Sequence, residues 1–197
     1  MKCNDGGRYL ENKPCDWSYT HQFLQRVAVR GSMLLDVGCG DGEKLSYLGS
    51  LFSRFVGVDL SLKRLKKAKE RNVEAILGDA RYLPIGTASF GTITCFHVIE
   101  HVYGDKGLLD EIYRVLKSGG LTLLVTPNRR RITSVVSLAL RVFKPEMKFP
   151  MNPDHVFEYT EKDLQYLYFR RQNLRRFIYN PYFWGSDSIR QGDKFWG

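Results

Sequence analysis

The chain has 197 residues, 43% of them hydrophobic and 26% charged, the balance of a folded globular protein. That composition excludes a disordered or collagen-like chain, and the length fits one domain. The net charge is +9, and the Lys/Arg to Asp/Glu counts run seven to seven over residues 1–60, ten to seven over 61–128 and thirteen to seven over 129–197, so the excess sits at the rear.

Along the chain, the first thirty residues hold no continuous apolar stretch, so no secretory leader is expected. No later run reaches the ~18–20 apolar residues of a membrane-spanning helix. Four cysteines in that setting read as reduced thiols, which points to the cytoplasm. Met33–Val37 is a short apolar run stopped by glycines, the mark of a buried strand. A helix is expected from Glu43 to about Phe52, with Leu45, Leu48 and Leu51 on one face. Arg54–Asp59 reads as a second strand, and Ser61 as N-cap of a basic helix Leu62–Asn72. Val73–Leu77, Gly91–His97 and Leu121–Thr126 read as strands three to five. The helix between the last two, about Lys106 to Lys117, is expected to end at Gly119. Beyond Pro127 come an apolar segment Ile132–Phe143, a loop with three prolines, a helix near Thr160–Arg170 and a strand candidate Leu174–Tyr179. Alternating strands and helices predict an α/β fold, a doubly wound and mostly parallel sheet whose last strands are curtailed.

In such a sheet, ligands bind outside the carboxyl ends of the strands. After strand one stands Asp36-Val37-Gly38-Cys39-Gly40-Asp41-Gly42, whose glycines let a ligand lie against the backbone. Glu43 breaks the dinucleotide pattern GxGxxG, and no phosphate-gripping GxxxxGK[ST] is present. A carboxylate at the helix start also repels pyrophosphate, so the loop favours a ligand without phosphates. Asp59, 21 residues after Gly38, ends strand two, where a carboxylate can accept from both ribose hydroxyls. Asp79, 20 residues further on, could accept from an adenine amine. Each acid taken alone is more often a turn or helix cap than a ligand, and it is the three features on successive strands together that point to a site.

The segments LLDVGCGDG (34–42), VGVDLS (56–61), GDARYLP (78–84), FHVIEHV (96–102) and LKSGGLTLLVTPN (116–128) resemble the successive motifs of the class I S-adenosylmethionine-dependent methyltransferases, of the type 11-like kind. The resemblance implies a Rossmann-like fold and S-adenosyl-L-methionine as cofactor. It also implies that Gly38 and Gly40 pass the methionine part, that Asp59 holds the ribose and that Asp79 with Ala80 holds the adenine. Leu60 would lie on the adenine ring, Phe96 and His97 would border the methionine end, and Asp36 would orient the loop or reach the amino group through water. One domain over 1–197 follows, with an N-terminal cap segment 1–30, a cofactor core 31–128 and a basic, aromatic substrate-side segment 129–197.

The chemistry asks little of the protein: a sulfonium methyl is already electrophilic, so a nucleophile must be aligned and water excluded. A hydroxyl nucleophile also needs its proton removed, and His97 and His101 are the candidate catalytic bases. Glu100 stands beside them, and the bland alternative is that His101 and Glu100 cap or brace the following helix. His97-Val98-Ile99-Glu100-His101 also spells HxxEH, a zinc motif when helical. Here the first histidine ends a strand, so no metal is expected. The segment from Thr126 to Thr160 resembles, more loosely, quinone-biosynthesis and glycan-associated methyltransferases. A small-molecule or lipid-like acceptor bearing a hydroxyl is therefore expected. The stripe Ile132, Val135, Val136, Ala139, Leu140, Phe143 flanked by Arg129–Arg131 suggests a lid touching an anionic membrane at its inner face, against the alternative of a plain core helix. The rival functions are an RNA methyltransferase, for which the charge speaks, and a non-catalytic S-adenosylmethionine-binding module. Nucleic acid thus stays among the candidate partners, and no feature sets an oligomeric state.

Overall fold

The computed structural model describes residues 17–28, 31–126, 159, 163, 177–179 and 195–196. The expected apolar segment and lid over 129–144, the proline-containing loop, most of the helix near 160–170 and the start of strand candidate 174–179 lie outside the described residues.

Helix α1 (Ser18–Val27) precedes strand β1 (Met33–Val37). Then follow α2 (Glu43–Leu48), β2 (Arg54–Asp59), α3 (Leu62–Glu70), β3 (Ala75–Leu77), β4 (Phe90–Phe96), α4 (Asp105–Val115) and β5 (Leu116–Val125). Short strands β6 (Phe177–Tyr179) and β7 (Phe195–Trp196) complete the order β3-β2-β1-β4-β5-β6-β7. All pairings are parallel except β6 with β7. Chain order reverses between β1 and β4, which is where an open sheet of this kind opens a ligand crevice.

Local chemistry explains most boundaries. Leu34, Leu35, Asp36 and Val37 are all buried, as a central parallel strand requires, and so is every residue of β4. Ser61 Oγ accepts from the Arg64 N–H at 3.4 Å and starts α3, whose Leu65 and Ala68 face the core. That helix stops at Asn72, which adopts φ 58° while the Val73 N–H bonds back to Ala68 O at 3.0 Å. The expected stop at Gly119 is corrected. Helix α4 passes straight into β5 at Leu116, and Gly119, with φ 76°, lies within the strand. There the register slips between the Phe90–Leu116 and Thr92–Leu121 pairs, so these glycines make an irregularity in β5 rather than a cap. Strand β3 is likewise shorter than expected, and α2 gives way to a 3-10 turn at Gly49–Leu51.

The core lies on both faces of the sheet. One cluster joins Leu35, Ile93, Leu108 and Ile112, and includes Tyr159 from the rear of the chain. The other joins Leu24 of α1 with Leu34, Leu45, Leu48 and Phe96. Among the described residues no helix is long and apolar enough to cross a membrane.

The turn after β3 is fastened to α4 by one pair. Glu111 Oε2 accepts from the Leu83 N–H at 2.7 Å, Arg114 donates to both Glu111 oxygens at 2.7 Å, and Arg114 also donates to Leu83 O at 3.0 Å and Ile85 O at 2.8 Å. Hydrogen bonding from Arg114 holds the Glu111 carboxyl below its ordinary value, against a partial burial that raises it. A depressed folded value gives stability that is present above the unfolded value, ~4.3, and is lost as pH falls through the folded one. Glu111→Ala is expected to cost ~1–3 kcal/mol near neutral pH, because the Leu83 N–H and the guanidinium lose their acceptor. Denaturant unfolding should show that gap shrinking in acid. A gap that stays constant with pH would overturn this account.

Candidate functional site

The carboxyl ends of β1, β2 and β4 bring most of the predicted residues together. Gly38, Gly40 and Gly42 have φ of 74°, 59° and 75°, so the turn after β1 is built on left-handed backbone that glycine adopts freely. The Gly38 and Cys39 N–H groups both donate to Val58 O, at 2.8 and 3.1 Å, tying the turn to β2. Asp59 holds the turn from the other side. Its Oδ2 accepts from the Gly40 N–H and its Oδ1 from the Ser61 N–H, each at 2.8 Å. This carboxylate is thereby fixed in orientation, with lone pairs left for further donors. Leu60 follows it and is 73% exposed, an apolar side chain left standing at the strand end. Asp41 and Glu43 flank the start of α2, which disfavours a phosphate there, as the sequence suggests.

Asp36 is fully buried on β1. Its Oδ1 accepts from Thr94 Oγ1 at 2.7 Å and lies 2.8 Å from Lys44 Nζ, whereas its Oδ2 is buried with no hydrogen-bond partner among the described residues. Burial pushes the Asp36 carboxyl up, opposed by Lys44 and Thr94. Lys44 is only 7% exposed, and its ammonium stands 4.1 Å from the centre of the Phe96 ring and 5.9 Å from that of Trp17. Trp17 meets Phe96 edge-on at 5.8 Å, so the residue that precedes α1 packs against the end of β4.

At the end of β4, His97 takes φ 54°, a strained conformation for a side-chain-bearing residue. Its N–H donates to Val125 O at 2.8 Å, and its Nδ1 lies 3.1 Å from Glu100 Oε1. Glu100 is buried, and its Oε2 accepts from Thr126 Oγ1 at 2.8 Å. Although burial pushes the Glu100 carboxyl up, the hydrogen bond and charge of His97, with Thr126 and backbone support, hold it below its ordinary value. A carboxylate accepting from Nδ1–H fixes the tautomer with the lone pair on Nε2. The His97 side chain is 39% exposed. His101 ends the 3-10 turn Ile99–His101 and is exposed, so the two histidines do not share a helix. Among the described residues no three His, Cys, Asp or Glu gather to hold a metal.

Asp79 and Ala80 stand after β3, but both Asp79 oxygens are engaged by Arg81, through its N–H at 2.8 Å, Nε at 3.0 Å and Nη2 at 2.6 Å. The Arg81 hydrogen bonds draw the Asp79 carboxyl below its ordinary value. An adenine amine would have to share that carboxylate. Sequence reasoning missed Trp17, Lys44, Thr94 and Thr126. Lys44 alone carries a signal, since it lies four residues before Leu48 and so shares the buried face of α2.

A family model described as a methyltransferase domain matches residues 35–124. A probable S-adenosylmethionine-dependent methyltransferase of Mycolicibacterium smegmatis is 31% identical over 153 residues, covering 75% of this chain and 55% of that protein. A ubiquinone biosynthesis O-methyltransferase of Paracidovorax citrulli is 29% identical over 141 residues, covering 68% and 58%. The chain thus spans little more than half the length of these curated relatives. Among solved structures, a SAM-dependent methyltransferase from Archaeoglobus fulgidus superposes with a TM-score of 0.60 at 20% identity, covering 78% of this chain and 67% of that one. At that identity the likeness is one of fold.

Proposed function

Because the chain belongs, through residues 35–124, to the class I S-adenosylmethionine-dependent methyltransferases, we propose that it transfers a methyl group to a hydroxyl of a small or amphipathic acceptor. The site fits the cofactor on two counts. The turn after β1 runs through left-handed backbone at Gly38, Gly40 and Gly42, which leaves main chain without side chains at the strand end, and Asp36 has a buried oxygen with no partner among the described residues. When bound, S-adenosylmethionine supplies an activated methyl group on a sulfonium sulfur. Asp59 would take the ribose hydroxyls, exposed Leu60 would cover the adenine face, and Asp79 with Ala80 would border its edge. Gly38, Gly40, Asp36 and Phe96 would line the methionine end.

The single observation that carries the hydroxyl is the His97–Glu100 pair. An imidazole whose Nδ1 lies 3.1 Å from a buried carboxylate keeps Nε2 for a proton taken from the acceptor, which a hydroxyl acceptor requires and a free amine does not. The O-methyltransferase name of the Paracidovorax citrulli relative supports the same choice. The test is transfer of a labelled methyl group into cell-extract fractions, lipid and RNA separately. Label in hydroxylated small molecules or lipids is expected, and label in RNA alone would overturn the proposal.

Cofactor binding offers a further check. Asp59→Ala is expected to weaken binding of S-adenosylhomocysteine by ~1.5–3 kcal/mol, since hydrogen bonds to a charged group are lost. The Gly40 N–H also loses its acceptor, so the turn loosens as well. Calorimetry with no change on this substitution would remove Asp59 from the site.

A further inference from the structure

Helix α3 carries charge that its own stability does not need. Its nine residues, LKRLKKAKE, hold five cations and one acid. Leu65 and Ala68 face the core, so the opposite face presents Lys63, Lys66, Lys67 and Glu70, spaced i, i+3, i+4 and i+7 and all exposed. Lys69 is exposed beside them. Among the described residues none of these four lysines forms an ion pair. Lysines three and four residues apart repel one another. The first turn holds no acid, and the charges of Lys63 and Arg64 there oppose the helix dipole. Nearby cations are neutralised instead: Arg54 meets Glu74 at 2.7 Å, Arg71 meets Asp41 at 3.4 Å and Arg81 meets Asp79 at 2.6 Å. A run of like charge kept against both repulsion and the dipole is complementary to an extended anionic surface.

Apolar side chains stand beside these cations. Leu62, which opens α3, is 56% exposed, and Leu77, which ends the edge strand β3, is 53% exposed. Leu77 pairs in register with Asp59, and Leu62 follows Asp59 by three residues, so both leucines lie at the carboxyl end of β2. Lysines next to exposed leucines match the headgroup boundary of a bilayer, where ammonium groups meet anionic heads and apolar side chains leave water. A nucleic-acid backbone would satisfy the lysines but give the leucines no apolar partner. We propose that α3 docks the protein on an anionic lipid surface, with Lys63, Lys66 and Lys67 on the headgroups and Leu62 and Leu77 at their boundary. Since α3 begins just past Asp59, docking sets the crevice beside the lipid, within reach of an amphipathic acceptor. The contact depends on neither the cofactor nor the acceptor, and it is separate from the segment 129–144.

The test is cosedimentation with vesicles of phosphatidylserine and phosphatidylcholine in equal parts, against phosphatidylcholine alone. The wild-type chain is expected to bind the anionic vesicles only. In Lys63→Gln/Lys67→Gln that partition should fall about 25-fold, at about fivefold for each lysine near an anionic surface. Arg26→Gln/Lys117→Gln removes the same charge from two other exposed positions and should cost far less. Because the α3 substitutions relieve repulsion and touch no core residue, they should leave the denaturant midpoint of unfolding where it is or raise it. A marked fall in that midpoint would mean that the lysines serve the helix itself, and it would overturn the proposal. Equal losses in the two variants would show a general charge effect and overturn the assignment to α3. So would a wild-type chain that ignores the anionic vesicles, or one retained on a mixed-sequence duplex RNA but not on them.

Discussion

Replacing His97 by alanine is expected to lower kcat on a hydroxylated acceptor by ~10²–10⁴-fold, the usual contribution of a positioned general base. Binding of S-adenosylhomocysteine should suffer far less, because Asp59, the glycine turn and the Asp36 region remain. Glu100→Gln separates orientation from charge. The amide oxygen can still accept from Nδ1–H and keep the ring in place, but it no longer stabilises the imidazolium formed when the proton is taken. Its loss in kcat should be smaller than that of His97→Ala. Because Glu100 is held below its ordinary carboxyl value, its support is present above the unfolded value and fails only as pH falls through the folded one. His101, exposed and in a different turn, should tolerate alanine with little effect on kcat. Full rate in His97→Ala on a hydroxylated acceptor, or a larger loss in His101→Ala, would move the base elsewhere.

Periodicity and turn chemistry show where the sequence speaks plainly. Met33–Val37 and Arg54–Asp59 are strands with the predicted ends, because each is a short apolar run bounded by residues that stop it. The α4–β5 boundary misleads, since a pair of glycines after a helical pattern signals a cap as readily as an irregular strand. Here the pairing of Phe90 with Leu116 draws the chain into the sheet before the glycines are reached. Helix α1 hides behind a mixed stretch, SYTHQFLQRV, whose Leu24 is buried only through packing on the second core cluster. In the site, Asp59 is legible because its neighbours in sequence, Gly57 and Ser61, fix its place at a strand end. The role of Glu100 depends on Thr126, 26 residues away, and that of Asp36 on Thr94, 58 away. Such cross-strand partners leave no local pattern. The engagement of Asp79 by Arg81 was within reach of the sequence, as the two are only two residues apart, but nothing in it decides between a ligand and a neighbouring guanidinium.

Gly38→Ala should be among the most damaging single substitutions in the chain. A Cβ at position 38 would lie 2.2 Å from Val98 Cγ2, far inside van der Waals contact, with φ at 74°, where an L side chain is strained. The left-handed conformation costs roughly 1–2 kcal/mol, and forcing a methyl into the packed contact adds ~1–3 kcal/mol. Relief by shifting the backbone is blocked, because the Gly38 N–H is held to Val58 O at 2.8 Å and the turn's next glycine to Asp59. Relief by moving Val98 is also costly, since that residue stands between His97 and the Ile99–His101 turn. The substitution should therefore lower unfolding free energy by ~2–5 kcal/mol and abolish measurable binding of S-adenosylhomocysteine. The double variant Gly38→Ala/Val98→Ala separates the two costs. Removing the valine branches should recover the packing part but not the backbone part, so the pair should be more stable than Gly38→Ala alone and still less stable than Val98→Ala. Denaturant unfolding of the three variants gives that coupling directly. Strict additivity of the two substitutions would mean that the turn does not meet Val98 as described.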